Sequence, residues 1–419
     1  MIATIVLGVM LALSAPPTEN WQDFRGAQGD GISLAKDLPL TWSETQNVKW
    51  KTALPGIAWS TPVVWGKQVW MTDATLDGKQ MFAVCLDRDT GKILLNRKVF
   101  DNADPEPLGT DVNSYGSPSP VIEAGRVYLN FGSYGTACLD TKTFKTLWER
   151  RDLPCRHLRG PGSSPFLYGN LLILTMDGAD YQYLVALDKR TGQNVWKEDR
   201  STQWTDLDPS GKVIADGDLR KAYTTPLLTQ WQGNPLLISI GAMSAFAYDP
   251  RTGKEIWKAR FNGFSNASRP LVGFGMTYLS TGYNRADLLA VKLGGSGDIT
   301  NTHIAWRYTR NVPQKPSALL VGDTLFMVSD SGVATCLDAK TGTEIWKERI
   351  GGSYSASPIY ADGRIYCFSE DGKSVVLSPG RKYQVLAENQ LAAGFMASPA
   401  VAGKALFLRT KTHVYRIEN

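Results

Sequence analysis

Apolar and polar positions along this chain form a pattern that returns eight times. A proline, usually preceded by Ser or Thr, opens each unit: Pro62, Pro120, Pro165, Pro226, Pro270, Pro316, Pro358 and Pro399. A short apolar run follows, then usually a Gly turn, then a second apolar run. Thus Val63-Val64-Trp65-Gly66 leads into Val69-Trp70-Met71. Likewise Ile359-Tyr360 leads through Asp362-Gly363 into Ile365-Tyr366-Cys367-Phe368. Another turn, as at Asp177-Gly178, Ser331-Gly332 and Asp371-Gly372, precedes a third run. Short apolar runs bounded by turn residues predict strands, and a strand tolerates Pro at its start.

The third run joins a fourth through a recurring phrase. It reads Leu337-Asp338-Ala339-Lys340-Thr341-Gly342-Thr343-Glu344-Ile345-Trp346 and returns from Leu187 to Trp196 and from Tyr248 to Trp257. A worn copy runs from Leu139 to Trp148, with Phe144 where the others have Gly. The copy beginning Leu86-Asp87 has Leu95 in the Trp place. Asp-x-x-Thr-Gly predicts a tight turn, because Asp can bond the backbone ahead and Gly accepts a positive φ. Each copy is therefore a hairpin with an aromatic fixed on its second strand. A lone hairpin cannot bury that ring, but stacked units can.

Each unit holds four antiparallel strands. The last, from Pro399, stops after three, and an orphan strand at Asn47 to Thr52 carries Trp50 in the Trp place. The N-terminal strand therefore completes the last sheet. The predicted fold is all-β, an eight-bladed β-propeller over 47–419, closed so that no sheet edge is left open. Two blades are degenerate. The fifth replaces its turn with Gly294-Gly295-Ser296-Gly297-Asp298, and the seventh has Pro379-Gly380 and no Trp.

Composition adds little and excludes some classes. The 419 residues are 43% apolar with 40 Gly, and the formal charge is +5 with no block of like charges. That argues against a nucleic-acid footprint or a polybasic membrane surface. Ile2 to Ala15 is nearly all apolar and too short to span a bilayer. Residues 1–15 read as a signal peptide, so the protein is expected to be exported, to the periplasm or beyond. Residues 16–46, with Trp21, Phe24 and Trp42, read as an arm packing on the propeller. Cys85, Cys138 and Cys336 stand before the Leu-Asp of repeats, Cys367 lies in an apolar run and only Cys155 falls in a loop. Buried free thiols are expected.

The phrase Ala/Cys-Leu-Asp-x-x-Thr-Gly-x-x-x-Trp resembles the repeat of the PQQ-like, or quinoprotein-type, β-propeller family. The opening Trp21 to Gly26, Gly29-Asp30-Gly31, Leu38 to Trp42 and Trp50 to Gly56 is similar to its exported bacterial branch. The resemblance covers nearly all of the mature chain. It implies that Trp50, Trp148, Trp196, Trp257, Trp306 and Trp346 dock between blades. It does not choose an activity, since the family holds quinone-dependent alcohol dehydrogenases and non-catalytic scaffolds such as BamB. In the dehydrogenases PQQ lies in the central channel, usually between a Trp and a disulfide of adjacent Cys, beside Ca²⁺ held by Glu, Asn and Asp. This chain has no adjacent Cys pair, and no Glu/Asn/Asp set matches a motif.

Connections from each fourth strand to the next first strand should emerge on one face, where a site is expected. The long ones carry Asp111, Asn113 and Tyr115; Arg156, His157 and Arg159; Arg220, Lys221 and Tyr223. Shorter ones add Trp59, Asn266 with Arg269, Lys315, Tyr354 and Phe395. Together they form an aromatic, mildly basic rim for a protein partner or a small ligand, on a chain expected to be monomeric. No metal site is indicated: His157, His303 and His413 have no ligand spacing. The expectation is a non-catalytic binding scaffold with no cofactor. The alternative is a PQQ-dependent oxidoreductase of alcohols or sugars, with PQQ and Ca²⁺ in the channel.

Overall fold

The computed structural model describes residues 18–283 and 285–419. The expected signal segment at 1–15 lies outside them. Eight sheets are present among the described residues, and each holds a run of four antiparallel strands. Blades one to seven span 63–101, 121–150, 166–199, 227–260, 271–308, 319–349 and 359–390. The eighth takes three strands from 400–417 and its fourth from 48–53, with Trp50 opposite Arg416 and Thr52 opposite Val414. First strands touch first strands of neighbouring blades, including the first against the eighth. They form the inner wall, and the N-terminal strand closes the ring.

The turns behave as their residues dictate. Asp87 Oδ1 accepts the N–H of Asp89 at 3.1 Å and of Thr90 at 2.8 Å, and the Thr90 hydroxyl at 2.8 Å. Asp140, Asp188 and Asp338 repeat all three bonds. Gly192 then takes φ +74°, and a Cβ there would sit 2.7 Å from the Trp148 ring of the blade before. The glycine therefore does two things: it turns the chain, and it lets an indole lie on the turn. Trp50 on Gly91, Trp196 on Gly253 and Trp306 on Gly342 repeat the contact.

The indole also binds the turn. Nε1–H of Trp50, Trp148 and Trp196 donates to the carbonyl one residue past the Asp, on Arg88, Lys189 and Pro250, at 2.9–3.1 Å. Other joints reach the same result differently. Trp257 donates to Leu293 in the fifth-blade insertion, and Gly297-Asp298 adds a parallel strand beside it. Trp346 donates to Gly380. Between blades five and six the Tyr278 hydroxyl takes the Ala339 carbonyl, and Trp306 Nε1 has no partner among the described residues. Between one and two, where Leu95 replaces Trp, Gln68 donates to Thr141 at 2.8 Å, and Phe144 turns its ring against Trp70. Between seven and eight, Trp42 of the arm stacks on Tyr366 and Phe368.

Residues 18–46 enter from the turn face. Thr18 and Asn20 bond the first-to-second-strand turns of blades eight and one. The chain then crosses the inner wall. Trp21 bridges Val64, the Gln22 carbonyl accepts from Ile122, and Ile32–Ser33 pairs in parallel with the first strand of blade seven. Arg25 is buried and donates to the carbonyls of Pro358, Asp30 and Ala318, and burial pulls its pKa down to about 9. Asp23 pairs with Arg269 at 3.2 Å. One sequence marker shifts: the sixth blade's first strand starts at Leu319, so Ala318, not Pro316, stands in the proline place.

Candidate functional site

Antiparallel strands put all eight inter-blade connections on the face opposite the Asp turns. Each connection contributes to one axial pocket of about 710 Å³. Trp59, Asn113, Arg159, Tyr223, Ser265, Lys315, Ser355 and Met396 represent the eight in turn. Phe24, from the crossing arm, reaches it from inside the ring. The channel is thus filled from the turn face and open at the rim.

A belt of hydroxyls surrounds the pocket at the entry to the first strands. The Thr61 N–H donates to Ser119 Oγ at 2.8 Å, Ser119 to Ser164 at 3.0 Å and Ser164 to Thr225 at 2.9 Å. On the other side Arg269 donates to Ser317, Ser317 to Ser357 and Ser357 to Ser398, each at 2.9 Å. Arg269 interrupts the belt, since it has no hydroxyl to offer Thr225. The belt oxygens accept from backbone, and the described residues give the protons of Ser119, Ser164, Thr225, Ser357 and Ser398 no acceptor. These five are buried and line the pocket.

Five charged side chains line the pocket. Lys221 contacts Asp218, and Arg159 lies 4.0 Å from the same carboxylate. Burial, then the charge of Arg159, pulls the Lys221 pKa down to about 8. Lys315 lies 3.7 Å from Asp330 and 3.1 Å from Glu370 behind it. Asp330 accepts the Gln314 N–H at 2.7 Å, and burial raises its pKa. Phe264 and Tyr283 stand edge-to-face at 5.7 Å on one wall.

The ten rim candidates from the sequence separate into groups. Trp59, Arg159, Tyr223 and Lys315 line the pocket. Arg156 is exposed and tied to Glu106 and Asp216. Tyr115 is buried and donates to the Glu106 carbonyl. His157 is buried, its Nε2 accepts the Ser133 N–H at 3.0 Å, and burial pulls its pKa down to about 4. Tyr354 and Phe395 are buried in the blades. Arg269 is buried against the arm, where it bonds the carbonyls of Pro226 and Phe24. Asp218, Asp330, Phe264, Tyr283 and the belt were not singled out from sequence. The Ser/Thr before each Pro was visible, but it reads as a strand opening until the ring brings the copies together.

A calcium-held quinone does not fit this donor set. Both pocket carboxylates are engaged by lysine, and all five cysteines are buried singly. Among the described residues, no three His, Cys, Asp or Glu side chains converge to hold a metal. No helix among them is long and apolar enough to cross a membrane.

An eight-bladed ring with Trp-on-Gly joints and an axial rim pocket is a PQQ-like propeller. The chain belongs to the family whose model is described as outer membrane protein assembly factor BamB, matched over 44–210 and 181–419. BamB from Moraxella catarrhalis superposes with TM-score 0.59 at 13% identity, covering 88% of this chain and 99% of that one. The quinohemoprotein alcohol dehydrogenase from Comamonas testosteroni superposes at 0.66 with 14% identity, covering 98% of this chain and 82% of that one. Tetrathionate hydrolase of Acidithiobacillus ferrooxidans is 25% identical over 186 residues, 35% of this chain and 37% of that protein. The match thus spans little more than a third of that curated relative's length.

Proposed function

We propose that this chain is an exported, non-catalytic binding propeller that works at the axial pocket and the connections framing it. The observation that carries the reading is the convergence of all eight connections on one axial cavity with both aromatic and polar walls. Its buried hydroxyls have donors to spare, and its carboxylates are already paired with lysines. A cavity of this size suits a small ligand or the tip of a partner chain. The match to the assembly-factor family supports a scaffold.

The likeness to a quinohemoprotein dehydrogenase supports a second reading, PQQ-dependent oxidation of alcohols or sugars. Titration with PQQ, with and without Ca²⁺, read by Trp fluorescence and by dye reduction with alcohols, separates the two. The binding reading expects no calcium-dependent quenching and no turnover. Tight calcium-dependent binding with dye reduction would sink it.

A further inference from the structure

The pocket charges are unevenly spread. On the connections after blades two and three stand Arg159, Lys221 and Asp218, two cations against one carboxylate. On the opposite side Lys315 and Asp330 line the pocket, and Glu370, outside the lining, bonds Lys315 from behind, so that the cation is shared between two carboxylates. Ser355 adds a hydroxyl bond to Glu370 at 2.6 Å. The pocket therefore has a positive and a negative pole, with the aromatic wall of Phe264 and Tyr283 between them.

The positive pole is built for an oxyanion. Ser119, Ser164 and Thr225 are 2%, 3% and 2% exposed, and each has a proton left to donate beside the two cations. A buried donor without an acceptor is costly, and a charged acceptor satisfies it best. The negative pole suits an ammonium, and ring faces attract a cation nearby. A volume of about 710 Å³ exceeds what one amino acid fills and suits a few residues.

Resting on the reading that this pocket is the working site, we propose that its ligand is a zwitterion of short-peptide size. Its carboxylate lies on the Ser119–Ser164–Thr225 arc with Arg159 and Lys221. Its ammonium faces Asp330, whose own lysine is drawn toward Glu370.

The test uses the full chain and three probes in calorimetry: trialanine, N-acetyl-trialanine and trialanine amide. Trialanine should bind, and each blocked peptide should bind about tenfold more weakly or worse. Lys221→Met should erase the penalty of amidation, and Asp330→Asn that of acetylation, with thermal melts showing that both variants fold. Equal binding of acetylated and free peptide would overturn the zwitterion and leave the binding propeller standing. No binding by any of the three also overturns it. The binding propeller itself falls only on the quinone titration.

Discussion

The joints between blades and the rim of the axial pocket are built on opposite principles. At the joints one arrangement recurs: an indole lies on a turn glycine and bonds the next blade's carbonyl. At the rim the connections share the hydroxyl before the first strand, Arg269 excepted, and little else, and the charged groups sit at a different place on each connection that carries them. Positions under a shared mechanical demand repeat. Positions facing a ligand have no reason to, because the ligand lacks eightfold symmetry. The exception between blades one and two shows which part is kept when the indole is lost there. The ring is replaced, but the bond to the carbonyl after Asp140 is retained through Gln68.

The largest expected effect comes from removing a joint. Trp257 is fully buried, and Trp257→Ala should cost about 3–5 kcal/mol in denaturant unfolding. If the rim alone held the blades in order, the loss would be far smaller. Next, two glycines of one blade can be set against each other. Gly192→Ala must seat a methyl 2.7 Å from Trp148, whereas Gly169, at φ +54°, has nothing within 4 Å. Both pay about 1–2 kcal/mol for the left-handed backbone, and only Gly192→Ala should lose about 1–3 kcal/mol more through overpacking. Equal melting shifts would mean the ring contact is incidental.

The exceptional joint offers a double-mutant cycle. Leu95→Trp and Phe144→Gly each break a fitted pair, while together they restore the standard joint. A favourable coupling of about 0.5–3 kcal/mol is expected between them, and additive effects would show that the two sites are independent. The smallest stability effect belongs to the rim. Lys221→Met should move stability by about 1 kcal/mol or less, since the Asp218 it leaves behind is part-exposed and keeps Arg159 at 4.0 Å. The depressed pKa of Lys221 sets the sign: in the free protein, stability rises from about pH 8 toward the ordinary lysine value. Binding of N-acetyl-trialanine, which has no titrating ammonium, should be full below about pH 8 and fall above it, provided Lys221 rather than Arg159 supplies the charge. A pH-independent affinity would assign that role to Arg159.

The difference between the two regions also explains what could be read from sequence. Five copies of the phrase exposed the turns and the docking indoles, and eight proline openings the blade number and the closing strand, because repetition averages out local accident. The rim gave only partial answers. Trp59, Arg159, Tyr223 and Lys315 line the pocket, yet His157 and Tyr354, equally prominent in sequence, are buried in packing. A residue on a long connection can face the axis or fold back, and apolar patterning does not distinguish the two. Asp330 and Tyr283 lie between the second and third strands, a set of loops that also reaches the axis.

The arm has a consequence in time. Its Phe24 reaches the pocket, and its neighbour 48–53 is the fourth strand of the last blade. A ribosome delivers these residues hundreds of positions before their partners at 400–417. Strand 48–53 must wait for its partner while seven blades accumulate. Such long-range closure is slow. The pocket is therefore complete only when the two segments that close the ring have met.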